Sequence, residues 1–236
     1  MKILVIGAGV LGSLLTHILV RGGNDVTLLA RGKRLAELQN KGLVILHYLQ
    51  IRTTRDAVKL TDKFEQEDDF DIVFIVVRRS QLDDILPMIA ANRASHLFVL
   101  LGNNLSAHET HQEIMKKSKT PKSVLFGFQS SGGRQQDGKV ISIHTGFTTN
   151  AGKVTLGSLD GDESSYIIIA RAFEKTNLKL EFNRNIDAWL KCHAAFILPI
   201  CFAVYHANGD LRKIARDKVY INKMIDCMDE AHQMLM

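Results

Sequence analysis

KILVIGAGVLGSLLTHILVR, residues Lys2–Arg21, is the stretch on which the fold turns. KILVI (Lys2–Ile6) reads as a strand buried on both faces by its β-branched, continuous apolar character. GAGVLG follows at once and sets Gly7, Gly9 and Gly12 in GxGxxG spacing. Val10–Arg21 then reads as a helix, and DVTLL (Asp25–Leu29) as the next strand. A bare GxGxxG is a weak signal. Between a strand and a helix, with a second strand behind it, the pattern is specific for a dinucleotide-binding turn. The first glycine permits a tight turn, the second lets the backbone approach a pyrophosphate, and the third lets the helix pack close to the sheet. The helix N-terminus adds free N–H groups and a partial positive charge. Gly7, Ala8, Gly9, Val10, Leu11 and Gly12 are therefore candidate cofactor contacts.

The end of the second strand selects the dinucleotide. An NAD site places an acid there for the ribose hydroxyls. This chain reads LLARGKR, with Arg31, Lys33 and Arg34 and neither Asp nor Glu. An arginine there can accept a 2′-phosphate, so NADP(H) is the expected cofactor and Arg31 its main contact. Ligands of open α/β sheets bind outside the carboxyl ends of the strands. Two more strand ends should face that region, one carrying Arg78 after FIVV and one carrying Asn103 after FVLL. An asparagine amide both donates and accepts, so it can bridge a nicotinamide ribose and a substrate.

The alternation continues. Lys33–Asn40 reads as a helix, Leu43–Thr54 as a hairpin, Phe70–Val77 as a central strand, Gln81–Ala90 as a helix and His96–Leu101 as a strand. A helix over Ser106–Lys117 precedes strands near Ser123–Phe126, Lys139–His144 and Lys153–Leu156. This predicts an α/β protein with an N-terminal Rossmann-type, doubly wound parallel sheet. After Asp160–Ser164 the pattern turns almost wholly helical. The expected domains are 1–162, binding NADP(H), and 163–236, a smaller all-α domain for substrate and dimerisation.

Hydrophobic residues make up 46% of the 236 and charged residues 23%, with a net charge of +5. That is ordinary for a globular protein. The basic residues are scattered and no zinc-finger or RNP-like pattern occurs, so no nucleic-acid partner is expected; an anionic small ligand accounts for the charge as well. Three cysteines with no CxxC pair argue against a disulfide framework and suit a reducing compartment. The longest apolar run, Ala194–Val204, is short for a bilayer and contains Pro199. The expectation is a cytoplasmic protein with no membrane partner. His108-Glu-Thr-His111 lacks HExxH spacing and reads as a solvated helix face, so no metal site is expected. Cys192, Cys201 and the methionines of the last helix read as core.

WLKCHAAFILPI (Trp189–Ile200) places Lys191 in an apolar helical setting. Reduction of a ketone generates an alkoxide that needs a proton, and a lysine can donate it and steady the developing charge. Ala188, Ala194 and Ala195 lie three and four residues away and leave room for a carbonyl. The plainer reading is an ion pair with Asp187, four residues earlier, in the favourable order. His193 reads as packing.

Taken in order, GAGVLG, the arginine after the second strand, the basic residue after FIVV, the asparagine after FVLL, QDGKV, W-x-K and ANGDLR resemble the ketopantoate reductase (2-dehydropantoate 2-reductase) family. The resemblance covers essentially the whole chain. It implies a Rossmann domain joined to a helical domain and NADPH-dependent reduction of a small branched 2-keto acid, as in pantothenate biosynthesis. It implies that Gly7 through Gly12 bind pyrophosphate and Arg31 the adenosine phosphate. Arg78 stands where the family has lysine, Asn103 contacts cofactor and substrate, and Gly133 makes a backbone cofactor contact. Lys191 matches the family's catalytic lysine and Asn208 a substrate-binding asparagine; for Asn208 the Asn-Gly pair also reads simply as a turn. The chain departs from the family where two asparagines should follow the lysine, at Ala195 and at Leu198 or Pro199. The family's later helices, with a serine and a glutamate of the site, would lie beyond Met236. That makes the chain a fragment or shortened form, or one of diverged activity. An apolar stripe on the last helix points to a homodimer or to further chain. Other readings kept open are a dehydrogenase of another small hydroxy acid and a non-catalytic NADP(H)-binding sensor.

Overall fold

The computed structural model describes residues 1–143 and 152–235. β1 (Lys2–Ile6) leads into α1 (Val10–Arg21), and β2 (Asp25–Leu29) into α2 (Gly32–Lys41). A hairpin of β3 (Leu43–His47) and β4 (Arg52–Asp56) is followed by the short β5 (Lys59–Thr61). β6 (Ile72–Ile75), α3 (Arg79–Ala91), β7 (Leu97–Leu101) and α4 (Ala107–Lys117) restore the alternation. Then come β8 (Ser123–Gln129), β9 (Gly132–Gln136), β10 (Lys139–Ile143), β11 (Lys153–Ser158), α5 (Tyr166–Phe173) and β12 (Lys179–Phe182). The chain closes with α6 (Ile186–His206), α7 (Leu211–Arg216) and α8 (Lys218–Gln233). His144, which the sequence reading put at a strand end, lies outside the described residues.

The main sheet runs β12-β11-β8-β7-β6-β1-β2-β5. From β5 to β8 all neighbours are parallel, while β11 pairs antiparallel with β8. Numbered within the parallel part, this is the 3-2-1-4-5-6 order of a dinucleotide-binding sheet, and its direction of winding reverses at β1. The strands flanking that switch are apolar throughout because both faces are covered: Ile3–Val5 and Ile72–Phe74 are fully buried. The Rossmann-type α/β class expected from the sequence is therefore what forms. The hairpin and Lys139–Ile143 do not join that sheet. They build a second one, β4-β3-β10-β9, with β3 and β10 parallel.

α1 is held over the second sheet as well as the first. Asp56 on β4, only 5% exposed, receives Arg21 Nε at 2.7 Å, and His17 Nδ1 lies 2.5 Å from its other oxygen. A carboxylate so buried is stable only with such partners.

The chain divides into two compact units, Met1–Gly102 with Ser106–Ile186, and Asn103–Leu105 with Asp187–Met236. α5 and β12, which the sequence reading placed after its boundary at 162, stay with the sheet because β12 extends it through β11. In the second unit α6 is continuous through Pro199. It is long and apolar enough, with a mean hydropathy of 1.5, to cross a membrane by length and composition. This corrects the run of Ala194–Val204 read from sequence, which left out the apolar turns before it. Core helices of soluble proteins pass the same test when mostly buried; of the apolar window of α6, 28% is buried, with Leu190, Ala194 and Ala203 inside and Phe196, Phe202 and Tyr205 exposed.

Candidate functional site

The glycine loop leaves β1 at the switch point, and its three glycines meet different surroundings. Gly7 has a φ of +114°, and a Cβ on it would overlap the carbonyl oxygen of Val76. A Cβ on Gly12 would overlap the carbonyl oxygen of Gly7 itself. Nothing lies within 4 Å of where a Cβ on Gly9 would stand. Gly9 is also the N-cap of α1 and brings no side chain to its first N–H groups. Open space before an uncapped helix N-terminus suits a phosphate group.

The loop is clamped from behind. The carbonyl of Ala8 accepts from Gln135 Nε2 at 2.8 Å, Arg34 Nε at 3.1 Å and Ser13 Oγ at 3.3 Å. Arg34 also donates to the Gly138 carbonyl at 2.9 Å and lies 3.3 Å from Glu37. Of the three basic residues after β2, Arg34 is thus committed to the loop and to β-turn carbonyls. Sequence reading missed Gln135. Its signal would have been a polar residue directed at the motif from 127 positions away, which no local pattern carries. Gly133, on β9, sits against the loop: with φ +152°, a Cβ there would crowd Val10 Cγ1 at 3.0 Å and overlap the Ile141 carbonyl oxygen.

Arg31 is the N-cap of α2 and is exposed. Its Nε donates to the Asp62 carbonyl at 3.3 Å, and its Nη2 lies 3.5 Å from Met88 Sδ. It lines a cavity of about 380 Å³ together with Gly32, Leu35, Phe64 and Met88. Arg78 is the N-cap of α3, exposed, with its backbone N–H donating to Gln81 Oε1 at 3.2 Å. Because β6 lies beside β1, with Ile6 opposite Ile75, the segment before Arg78 packs on Gly7. The structure therefore gathers Gly7–Gly12, Gly133 and the approach to Arg78 at one edge of the sheet, and carries Arg31 on the next strand over. Asn103 is exposed just past β7, while its neighbour Asn104 is buried.

In the second unit, Lys191 Nζ lies 2.6 Å from Asp187 Oδ2, and the two side chains are 36% and 19% exposed. The ion pair named by the plainer reading is formed, and it holds a half-buried ammonium in place. His193 stacks on Trp189 with ring centroids 5.2 Å apart, and burial lowers its pKa. Asn208 adopts φ +53°. Gly209 N–H donates to the Val204 carbonyl and Asn208 N–H to that of Tyr205, at 2.8 and 3.0 Å. This is a Schellman ending, in which asparagine is a common substitute for glycine. At about 1.5 Å per residue, α6 carries Asn208 roughly 25 Å from Lys191, so the two are not brought together along a straight helix.

Some bland expectations need correction. Cys192, Cys201 and Cys227 are free and exposed, and α8 has no buried residue. Helical spacing showed an apolar stripe but not whether anything covers it. His111 is no solvated residue: its side chain is 15% exposed, 3.7 Å from Asp160 and near Phe126. Hydrogen bonding from Ser158 holds the Asp160 carboxyl below its usual range. Among the described residues no group of three or more His, Cys, Asp or Glu is placed to hold a metal ion.

Comparison with known proteins bears on the family and the fold. The sequence pattern of the family described as Ketopantoate reductase PanE/ApbA matches residues 3–161. A 2-dehydropantoate 2-reductase of Archaeoglobus fulgidus is 26% identical over 215 residues, covering 89% of this chain and 66% of that one. One from Pyrococcus horikoshii is 27% identical over 189 residues, covering 80% of this chain and 58% of that one. The chain thus spans about two thirds or less of the length of these relatives. In fold, it matches a 2-dehydropantoate 2-reductase of Geobacter metallireducens with TM-score 0.78 at 18% identity, covering 98% of this chain and 74% of that one. D-mandelate dehydrogenase, solved with NADH and anilino(oxo)acetate, matches with TM-score 0.70 at 21% identity over 86% of this chain and 64% of that one. With the loop, the strand order and a family match over most of its length, the chain belongs to the ketopantoate reductase PanE/ApbA family.

Proposed function

We propose that this chain takes part in NADPH-dependent reduction of a small branched 2-keto acid, of the 2-dehydropantoate type, to the 2-hydroxy acid, as a cytoplasmic oxidoreductase of pantothenate biosynthesis. The observation that carries the reading is the open Gly9 and uncapped α1 N-terminus, with Arg31 just past the C-terminal end of β2, where neither Asp nor Glu stands. The residues present fit a dinucleotide: N–H groups of α1 for the pyrophosphate, Arg31 for a 2′-phosphate, and Leu35, Phe64 and Met88 as an apolar wall for adenine. Arg78 adds a cation beside the loop, and Gly133 a backbone that no side chain separates from Val10.

The bound cofactor would supply a hydride to the keto carbon. Lys191 donates a hydrogen bond to the keto oxygen and passes it a proton as negative charge develops there, then regains a proton from solvent. Asp187 keeps the ammonium from swinging freely. Asn103 offers donor and acceptor to substrate and ribose. Asn208 stays at the end of α6, where its left-handed backbone closes the helix.

The test is cofactor oxidation and binding measured together. NADPH should bind more tightly than NADH, and ketopantoate should oxidise it faster than other 2-keto acids in a panel. Binding without oxidation by any keto acid would leave a sensor in place of an enzyme. Replacing Arg31 with alanine should weaken NADPH by about 10- to 100-fold, the worth of a charge-assisted hydrogen-bonded contact, and change NADH by less than about twofold. An unchanged preference would overturn the NADP(H) assignment.

A further inference from the structure

β5 is short, yet it sets what stands beside Arg31. It pairs parallel with β2, with Leu29 opposite Thr61, and the ladder closes with Ala30 N–H donating to the Thr61 carbonyl at 2.9 Å. Both strands end at that level. Arg31 lies two residues past Leu29, and Lys63 lies two residues past Thr61, so the two cations leave the sheet side by side. The turn that carries Lys63 is pinned: Thr61 Oγ1 accepts from the Lys63 N–H at 3.2 Å and donates to its carbonyl at 3.0 Å. Arg31 is fastened to the same turn through the Asp62 carbonyl. Both residues line the 380 Å³ cavity.

The charges there are informative. Lys59, Arg79 and Arg34 are paired with Asp25, Asp83 and Glu37. Among the described residues Arg31 and Lys63 make no ion pair, though both are exposed at one cavity. Asp62 and Glu65 line it too. Arg31 alone against two carboxylates would give a phosphomonoester dianion an unfavourable surrounding field. A second cation at the same level restores a positive one.

We propose that Lys63 is the second cation of the 2′-phosphate site and, with Arg31, sets the preference for NADP(H) over NAD(H). This rests on the reading of the cavity as the adenosine end of a dinucleotide site. The probes are 2′,5′-ADP against 5′-ADP, and NADPH against NADH, titrated into the wild-type chain and into Lys63→Ala, Lys63→Arg and Arg31→Ala. Lys63 is exposed and its turn is held by its backbone, so the alanine variant should fold normally. The expected result is about tenfold weaker binding of 2′,5′-ADP and NADPH by Lys63→Ala, less than about twofold change for 5′-ADP and NADH, and recovery of most of the loss in Lys63→Arg. If the wild type prefers NADPH and Arg31→Ala abolishes that preference while Lys63→Ala leaves it intact, the role of Lys63 is refuted and the cofactor reading stands. Equal weakening of all four ligands by Lys63→Ala would also refute it, since that is loss of the turn. A wild type that prefers NADH and 5′-ADP removes the cofactor reading and this proposal with it.

Discussion

Lys191→Ala should lower kcat for keto-acid reduction by about 10²- to 10⁴-fold, the usual worth of a positioned proton donor, with NADPH affinity nearly unchanged. The pyrophosphate and the 2′-phosphate are read as held by Gly7–Gly12 and Arg31, not by Lys191, so cofactor binding has no reason to follow. Stability should barely move either. The Asp187–Lys191 pair is an i,i+4 contact on a half-exposed helix face, and such pairs are worth about 0.3–0.5 kcal/mol. Lys191→Arg sharpens the test. It keeps the charge and can keep the contact to Asp187, but a guanidinium does not give up its proton near neutral pH. Turnover should therefore stay low in the arginine variant. Recovery of full rate by arginine would mean that position 191 serves only as a fixed charge, and parallel losses of kcat and cofactor affinity in Lys191→Ala would mean that its role is structural.

Gly12→Ala and Gly9→Ala should part company. A methyl group on Gly12 would overlap the carbonyl oxygen of Gly7, which forces α1 away from β1. Overpacking against backbone costs about 1–3 kcal/mol or more, and the loop that binds the pyrophosphate distorts with it, so both Tm and cofactor binding should fall. A methyl group on Gly9 meets nothing within 4 Å, and α1 begins there with an ordinary φ of −72°. Its Tm should stay within about 2 °C of the wild type, because no contact is lost and no strain is added. Its affinity for NADPH and NADH alike should drop steeply, since the second glycine of the motif is where the backbone and the pyrophosphate come together. Thermal unfolding and cofactor titration on the two variants check this directly. A Gly9→Ala protein that binds both nucleotides normally would show that the space in front of Gly9 holds no phosphate.

Much of this site is readable along the chain because its information is local. The strand, the three glycines, the helix and the second strand fall within Lys2–Leu29, and the observed β1, α1 and β2 have the bounds that apolar periodicity predicts. Lys191 and its pairing with Asp187 were equally readable, since a helix brings residues four apart together by its own geometry. Asn208 illustrates the limit of a motif: the same Asn-Gly that resembles a substrate ligand also ends α6 in a left-handed turn, and spacing alone does not distinguish the two.

By itself, then, the sequence determined the strand–glycine turn–helix unit, the alternation of strands and helices that implies a parallel sheet, and the identity of the residues at the strand ends, because each is read from local pattern and spacing. Only the tertiary structure decided that KLT at Lys59–Thr61 is a strand, that GGRQQ at Gly132–Gln136 pairs in a second sheet, that Arg34 turns back onto Ala8, and that Lys63 stands level with Arg31. A three-residue strand and a wholly exposed one have no periodicity to read. β5 is fixed by backbone hydrogen bonds to β2, where Lys59 stands opposite Thr27, and β9 by its pairing with β10, which in turn joins the distant β3; the free energy of those bonds belongs to the assembled sheet rather than to any segment of it.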